Sequence, residues 1–413
     1  MSFPEFLIAS PTSYHASATA ARMLSDQGFR AQNEADGWDG SPGGHFIVRE
    51  GAIIAYRLPA EPTGRPRFHI VGTHTDSPSL KLKPHPEHES ARWAQAGMEI
   101  YGGPLLNSWL DREFGLAGRV VTRDGSQRLI QTGAWLRIPQ LAPHLDRSVN
   151  DNLHLDQQRH MMPVYALASQ DVDLMTAIAG VASCEVDDIV GHDLFAYITQ
   201  PPEIFGLGSD FLASGRLDNL SSVYPGLIAM MNVDPAPGVI PVLACFDHEE
   251  VGSQTRTGAA GPFLDDVLTR IGLGLGWSAD EVFQVRARSQ VVSADAGHSV
   301  HPNYPQMYDP DERPLLGSGV MLKVNARQRY STDGPGEATW LRACAQAGVA
   351  CQSFVSNNSV SCGTTIGPIT ATRLGIPTVD VGLPILSMHS AREMCSLHDV
   401  DDFAAALEAF LTL

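Results

Sequence analysis

The run Val239-Ile240-Pro241-Val242-Leu243-Ala244-Cys245-Phe246 is apolar throughout, and Asp247-His248-Glu249-Glu250 follows it at once. A strand with no polar alternation is buried on both faces, as in a parallel sheet covered by helices on each side. Gln290-Val291-Val292-Ser293-Ala294 and Thr378-Val379-Asp380-Val381 repeat the pattern, with helical stretches between them. Leu220, Val223, Tyr224, Leu227, Ile228 and Met231 form one such helical stripe. The last helix is expected to start at Asp399, with Val400, Phe403, Ala404, Leu407, Phe410 and Leu411 on one face. These alternations predict a three-layer α/β/α sandwich whose site lies on loops at the carboxyl ends of the strands.

The first part of the chain fits the same layer. Tyr14, Ala18, Ala21 and Leu24 keep helical spacing, and Gly28 supplies a stop. Phe46-Ile47-Val48 and Ile53-Ile54-Ala55-Tyr56 read as a hairpin, and Phe68-His69-Ile70-Val71 as a strand running into His74. From about Pro84 to Ser214 the texture changes. Helical periodicity fades, and Arg119-Val120-Val121 and Arg128-Leu129-Ile130 flank a turn at Asp124-Gly125. We therefore expect a discontinuous catalytic domain (residues 1–83 and 215–413) carrying a β-rich insertion at 84–214. A chain of 413 residues is long enough for two such units.

The formal charge of −18 argues against nucleic acid or an anionic membrane as partner, since both would repel the chain. No apolar run approaches the ~20 residues that span a bilayer. Met1-Ser2-Phe3-Pro4-Glu5 does not resemble the start of a secretory signal. The six Cys lack C-x-x-C spacing, so reduced thiols and a cytoplasmic location are expected. Only three of the 28 basic residues are Lys, namely Lys81, Lys83 and Lys323.

Three stretches hold the parts of a two-metal hydrolase: Gly72-Thr73-His74-Thr75-Asp76-Ser77-Pro78, Asp247-His248-Glu249-Glu250, and Ser387-Met388-His389-Ser390. His74 and His389 offer imidazoles. Asp76 could accept the second N–H of His74 and fix its tautomer. Adjacent carboxylates after a buried strand repel each other unless a cation or a shared proton intervenes. One of Glu249 and Glu250 could ligate while the other moves protons. Asp218, at the start of a helix, serves equally well as an N-cap. Asp295 ends a buried strand just before His298 and His301. Two His and three carboxylates suit a pair of divalent ions that also hold a water.

At these residues the chain resembles the aspartyl aminopeptidase family of co-catalytic zinc metallopeptidases. The likeness runs through His74-Thr75-Asp76-Ser77-Pro78, Arg137-Ile138-Pro139-Gln140-Leu141-Ala142-Pro143-His144-Leu145, Arg216-Leu217-Asp218-Asn219 and Glu249-Glu250-Val251-Gly252-Ser253. It continues at His301-Pro302-Asn303-Tyr304, Lys323 to Tyr330, Cys362 to Pro368 and Met388 to Glu393. The resemblance implies two zinc ions, with cobalt or manganese as substitutes. Asp218 would bridge them, His74 and Asp295 would complete one site, and Glu250 and His389 the other. Glu249 would be the general base. His298 and Asp295 would adjoin the substrate, and Lys323 and Tyr330 would line the pocket for an acidic first side chain, Asp or Glu. The insertion would be a dimerisation domain whose His144 reaches a neighbouring subunit's site in a tetrahedral dodecamer. Gln140 and His248 replace residues found in some relatives, and neither is an expected ligand. Competing readings keep the metals but change the first residue or take an N-acyl substrate, or make the chain a non-catalytic shell or cargo protein.

Overall fold

A computed structural model describes residues 1–38, 40–60, 66–170 and 172–413. Its larger sheet has nine strands, labelled here in chain order. They are β1 (Arg30–Ala31), β2 (Gly43–Arg49), β3 (Ala52–Leu58), β4 (Arg67–His74), β5 (Val239–Phe246), β6 (Gln290–Ala294), β7 (Val320–Val324), β8 (Cys351–Val355) and β9 (Thr378–Gly382). The spatial order is β1-β2-β3-β5-β4-β6-β9-β7-β8. Strands β5, β4, β6 and β9 run parallel at its centre. The alternation along β5 divides its side chains between the faces. Leu243 and Cys245 join the helices Phe3–Ala9, Ser13–Asp26, Leu217–Asn232, Gly334–Ala347 and Leu397–Thr412 in one core. Ile240, Val242, Ala244 and Phe246 face Phe263–Gly274, Ala279–Arg288 and Ile366–Leu374 in the other. Three layers result, and every residue of β5 is buried.

Register brings the site loops together. Phe246 pairs with His74, and Ser293 pairs with Gly72. Asp295, Asp247 and the Glu249–Glu250 pair therefore emerge beside the end of β4. The hairpin β2–β3 turns at Glu50-Gly51, and Gly28, just past its helix, has φ +81°, so the two turn expectations match the structure.

The second sheet is formed by 79–90, 93–101, 113–122, 127–131, 136–137, 164–167 and 189–198. Strand 189–198 pairs with both 79–90 and 113–122, so the sheet closes on itself around Leu80, Phe114, Leu116 and Leu194. The molecule thus has an α/β fold with a β-rich part. Its first strand, Ser79–Ser90, starts ahead of residue 84, because Leu80 and Leu82 already point into the second core. A helix, Leu174–Ala182, packs on this sheet where no helix was expected. Strands Glu203–Phe205 and Phe211–Ser214 join Glu393–Ser396 in a small third sheet. The final helix begins at Leu397, two residues before the Asp399 start expected from the sequence.

Candidate metal centre

Asp218 does not act as an N-cap. Arg216 before it takes φ 63°, and Asp218 itself departs from helical angles at φ −81°, ψ 104°. The carboxylate is thereby turned out of its helix, and its two oxygens face different partners. Oδ1 lies 3.3 Å from Nε2 of His74, which is also 3.4 Å from Oδ1 of Asp295. Oδ2 lies 3.4 Å from Nε2 of His389, which is also 3.6 Å from Oε2 of Glu250. One carboxylate thus stands between two sets of one imidazole and one further carboxylate.

These separations exceed a good N–H···O bond of about 2.9–3.0 Å, and one Nε2–H cannot serve two acceptors. Two ligand atoms each about 2.0–2.2 Å from a shared tetrahedral ion would stand about 3.4 Å apart. Oδ1 of Asp218 and Oε1 of Glu250 are buried with no hydrogen-bond partner among the described residues. Ligand atoms of His74, Asp218 and Glu250 all lie within 4.8 Å of one another. Mixed imidazole and carboxylate donors, spaced for ions and left unsatisfied, fit zinc.

The electrostatics point the same way. Burial, then the nearby Asp218, pushes the Glu250 carboxyl well above the usual range. Burial, with Asp295 and Asp218 adding repulsion, raises Glu249 to about 7. Burial disfavours a charged His74, yet the neighbouring carboxylates of Asp218, Asp295 and Asp76 overcome it and hold its pKa well above the ordinary value. A buried group in which carboxylates outnumber the imidazoles among them is a charge arrangement that cations complete.

A supporting shell fixes the set. His74 Nδ1 lies 3.1 Å from the Asp76 carbonyl. The Asp76 carboxylate accepts the backbone N–H of Glu249 (3.0 Å), that of Glu250 (3.1 Å) and the Tyr101 hydroxyl (2.8 Å). Glu393 accepts the N–H of Asp218 at 3.1 Å and of His389 at 2.8 Å. His389 Nδ1 is 3.0 Å from the Gly103 carbonyl. Gly102 has φ +69°, and a Cβ there would meet the Glu250 Cβ at 3.0 Å, so the close approach of this turn needs glycine. Arg216, His248, Ser387 and His389 all take positive φ, concentrating backbone strain around the cluster.

Lys323 is buried. Its ammonium donates to the Ala296 carbonyl at 2.7 Å, lies 3.8 Å from Oδ2 of Asp295, and sits 5.5 Å from the centre of the Tyr330 ring. His298 and Tyr330 line one cavity beside the loop 355–363. His144 stands apart: it is exposed and makes no hydrogen bond or ion pair with these residues. Sequence reasoning had not singled out Glu393, Tyr101 or Gly102 as parts of the site. Glu393 does follow His389 at four residues, within the same motif.

An α/β chain with this cluster belongs among metal-dependent hydrolases. The model of the aminopeptidase I zinc metalloprotease family (M18) matches residues 6–411, and the chain belongs to that family. It is 48% identical to a probable M18 family aminopeptidase 2 of Streptomyces coelicolor, covering 98% of this chain and 96% of the relative. Identity to the Mycobacterium tuberculosis protein of the same description is 41%, over 99% and 96%. Among solved structures, Ape4 in its complex with Nbr1 superposes with a TM-score of 0.94 at 33% identity, covering 99% of this chain and 84% of that one. The mApe1 dodecamer of S. cerevisiae gives 0.84 at 25% identity, over 99% and 95%.

Proposed function

We propose that this M18 aminopeptidase uses two metal ions to remove an N-terminal Asp or Glu from peptides. The observation that carries the proposal is Asp218, with one oxygen toward His74 and Asp295 and the other toward His389 and Glu250. His74, Asp295 and Asp218 would hold one zinc ion, and His389, Glu250 and Asp218 the second. Cobalt or manganese can substitute. Ions so held would supply a lowered pKa for bound water and a counter-charge for an attacked carbonyl oxygen. Glu249 takes the proton from the attacking water and returns it to the leaving amine. His298 adjoins the reacting carbonyl. Asp295 also faces the substrate through Lys323, its neighbour.

Lys323 and Tyr330 receive the first side chain. A carboxylate entering a pocket loses hydration, and a buried ammonium offsets that cost. A panel of aminoacyl anilides tests this reading. Asp and Glu anilides should be turned over far faster than Ala, Leu or Lys anilides; a preference for Leu would end the acidic assignment. Lys323→Met should raise the barrier for Asp and Glu anilides by about 2–4 kcal/mol, the cost of truncating one side of a buried charge pair. Leu anilide should lose much less, so the Asp-to-Leu ratio of kcat/KM is the readout.

The β-rich part, expected at 84–214 and with a sheet that begins at Ser79, serves as a dimerisation domain inserted between the catalytic segments. His144 then reaches a neighbouring subunit's site in a tetrahedral dodecamer, in keeping with its exposure here and with the dodecameric relative. His144→Phe should impair catalysis without metal loss. Mixing it with Glu249→Gln should recover activity in verified hybrids, because each lends the other its intact half; no recovery would place His144 outside the reaction. Six unpaired cysteines accord with action in the cytoplasm.

A further inference from the structure

Strands β7 and β8 are parallel neighbours, with Lys323 opposite Phe354 and Val324 opposite Val355. They end on the same edge of the sheet, and the loops that follow them meet. Asn325 organises the first loop, its side-chain oxygen accepting the N–H of Arg327 at 2.9 Å and its carbonyl that of Gln328 at 3.0 Å. Asn357 organises the second, accepting the N–H of Ser359 at 2.9 Å on its side chain and of Val360 at 2.9 Å on its carbonyl. Two bonds tie the loops together: Arg329 Nε donates to the Gly363 carbonyl at 3.3 Å, and the Thr364 hydroxyl to the Arg329 carbonyl at 3.1 Å.

Between the loops lies a groove of about 430 Å³ lined by Arg327 and Arg329. Its wall from Val355 through Asn357 to Cys362 is shared with the cavity that contains His298 and Tyr330. The groove therefore adjoins the cavity that contains His298 and Tyr330. Both arginines are exposed, and neither forms an ion pair with a carboxylate among the described residues. Two guanidiniums without ion pairs beside that cavity form a receiver for anions, and a guanidinium fork matches a carboxylate.

We propose that Arg327 and Arg329 bind a carboxylate of the peptide downstream of the cleaved bond, so that the enzyme selects for acidity beyond the first residue. The inference rests on the aminopeptidase reading above, which fixes the direction of the chain past His298. The carboxylate has two sources: a Glu or Asp side chain at the second to fourth position, or the terminal carboxylate of a short peptide.

The test uses the full-length, zinc-loaded protein and peptides that begin with the first residue it prefers. In one arm, carboxy-amidated pentapeptides carry Glu or Gln at position two, three or four. In the other, tripeptides differ only in a free or amidated terminus. Exposed ion pairs are weak, so the two arginines together should give about a three- to tenfold advantage in kcat/KM to one of these carboxylates. That ratio should fall toward one in Arg327→Gln with Arg329→Gln, and in wild type as salt is raised. Because Arg329 also holds the Gly363 carbonyl, Arg327→Gln alone is the control for loop integrity. It should lower the ratio partway. A Glu-to-Gln ratio and a free-to-amide ratio both near one in wild type would overturn the proposal, as would an advantage unchanged in the double variant. Failure of the zinc-loaded protein to cleave any aminoacyl anilide would instead remove the aminopeptidase reading beneath it.

Discussion

Exhaustive removal of divalent ions should abolish anilide hydrolysis, and adding back zinc, cobalt or manganese should restore it at least in part. The reason is electrostatic before it is chemical. Asp218, Glu250, Asp295 and Glu249 crowd around His74 and His389, and burial already raises Glu249 and Glu250. Without cations, burial and repulsion favour the protonated forms of Glu249 and Glu250, and nothing lowers the pKa of the attacking water. The same argument predicts a stability signature that does not depend on turnover. Ions that bind only the folded chain stabilise it by about 2.7 kcal/mol when present at a hundredfold excess over Kd. Thermal unfolding of the stripped protein should therefore move upward on titration with zinc, and His389→Ala should shrink the shift. Full activity in protein shown by elemental analysis to hold no metal would end the two-metal reading.

How much of this could be read from the sequence follows from which contacts are local. Strand β5 and the Asp247–Glu250 loop were legible because eight apolar residues in a row leave few alternatives to a buried parallel strand. His74 and Asp295 were legible for the same reason, as each stands at the end of such a strand. The helix Leu174–Ala182 was not, since Leu174, Met175, Ala177, Ile178, Ala179, Val181 and Ala182 are apolar nearly all round and give no stripe. The boundary at residue 84 followed Pro84 and Pro86, but strand Ser79–Ser90 runs through both prolines with a shift in its pairing between Leu82 and Glu87. The supporting shell was the least visible part. Tyr101 reaches Asp76 from 25 residues away, and Gly103 reaches His389 from 286. Such pairs depend on how the two sheets pack, which no local pattern encodes. Asp218 shows the limit from the other side. Its sequence position suited an N-cap, and only its backbone angles and its two imidazole neighbours set it apart from one.

Substituting the two adjacent glutamates should separate proton transfer from coordination. Both stand in the short helical turn Glu249–Val251, and Asp76 binds both backbone amides, so either side chain can change without releasing the turn. Their carboxylates do different work. Oε2 of Glu250 lies 3.6 Å from Nε2 of His389, and its side chain is almost wholly buried. Glu249 is half-buried, its carboxyl is raised by burial and by the charges of Asp295 and Asp218, and it makes no ion pair among the described residues. Glu249→Gln should therefore keep both ions and lose about 10²–10⁴-fold in kcat, the contribution of a positioned acid–base group. KM should change little, because the lost interaction matters only as the proton moves. Glu250→Gln keeps one oxygen donor but loses the negative charge, so it should weaken one ion and leave the other, and excess zinc should recover part of its activity. Metal analysis after gel filtration reads the first difference, and steady-state rates across a zinc titration read the second. If Glu249→Gln lost an ion and Glu250→Gln kept both, the two roles would be exchanged. If zinc rescued both variants equally, neither residue would be the base, and the proton would have to be taken by another group in reach of the attacking water.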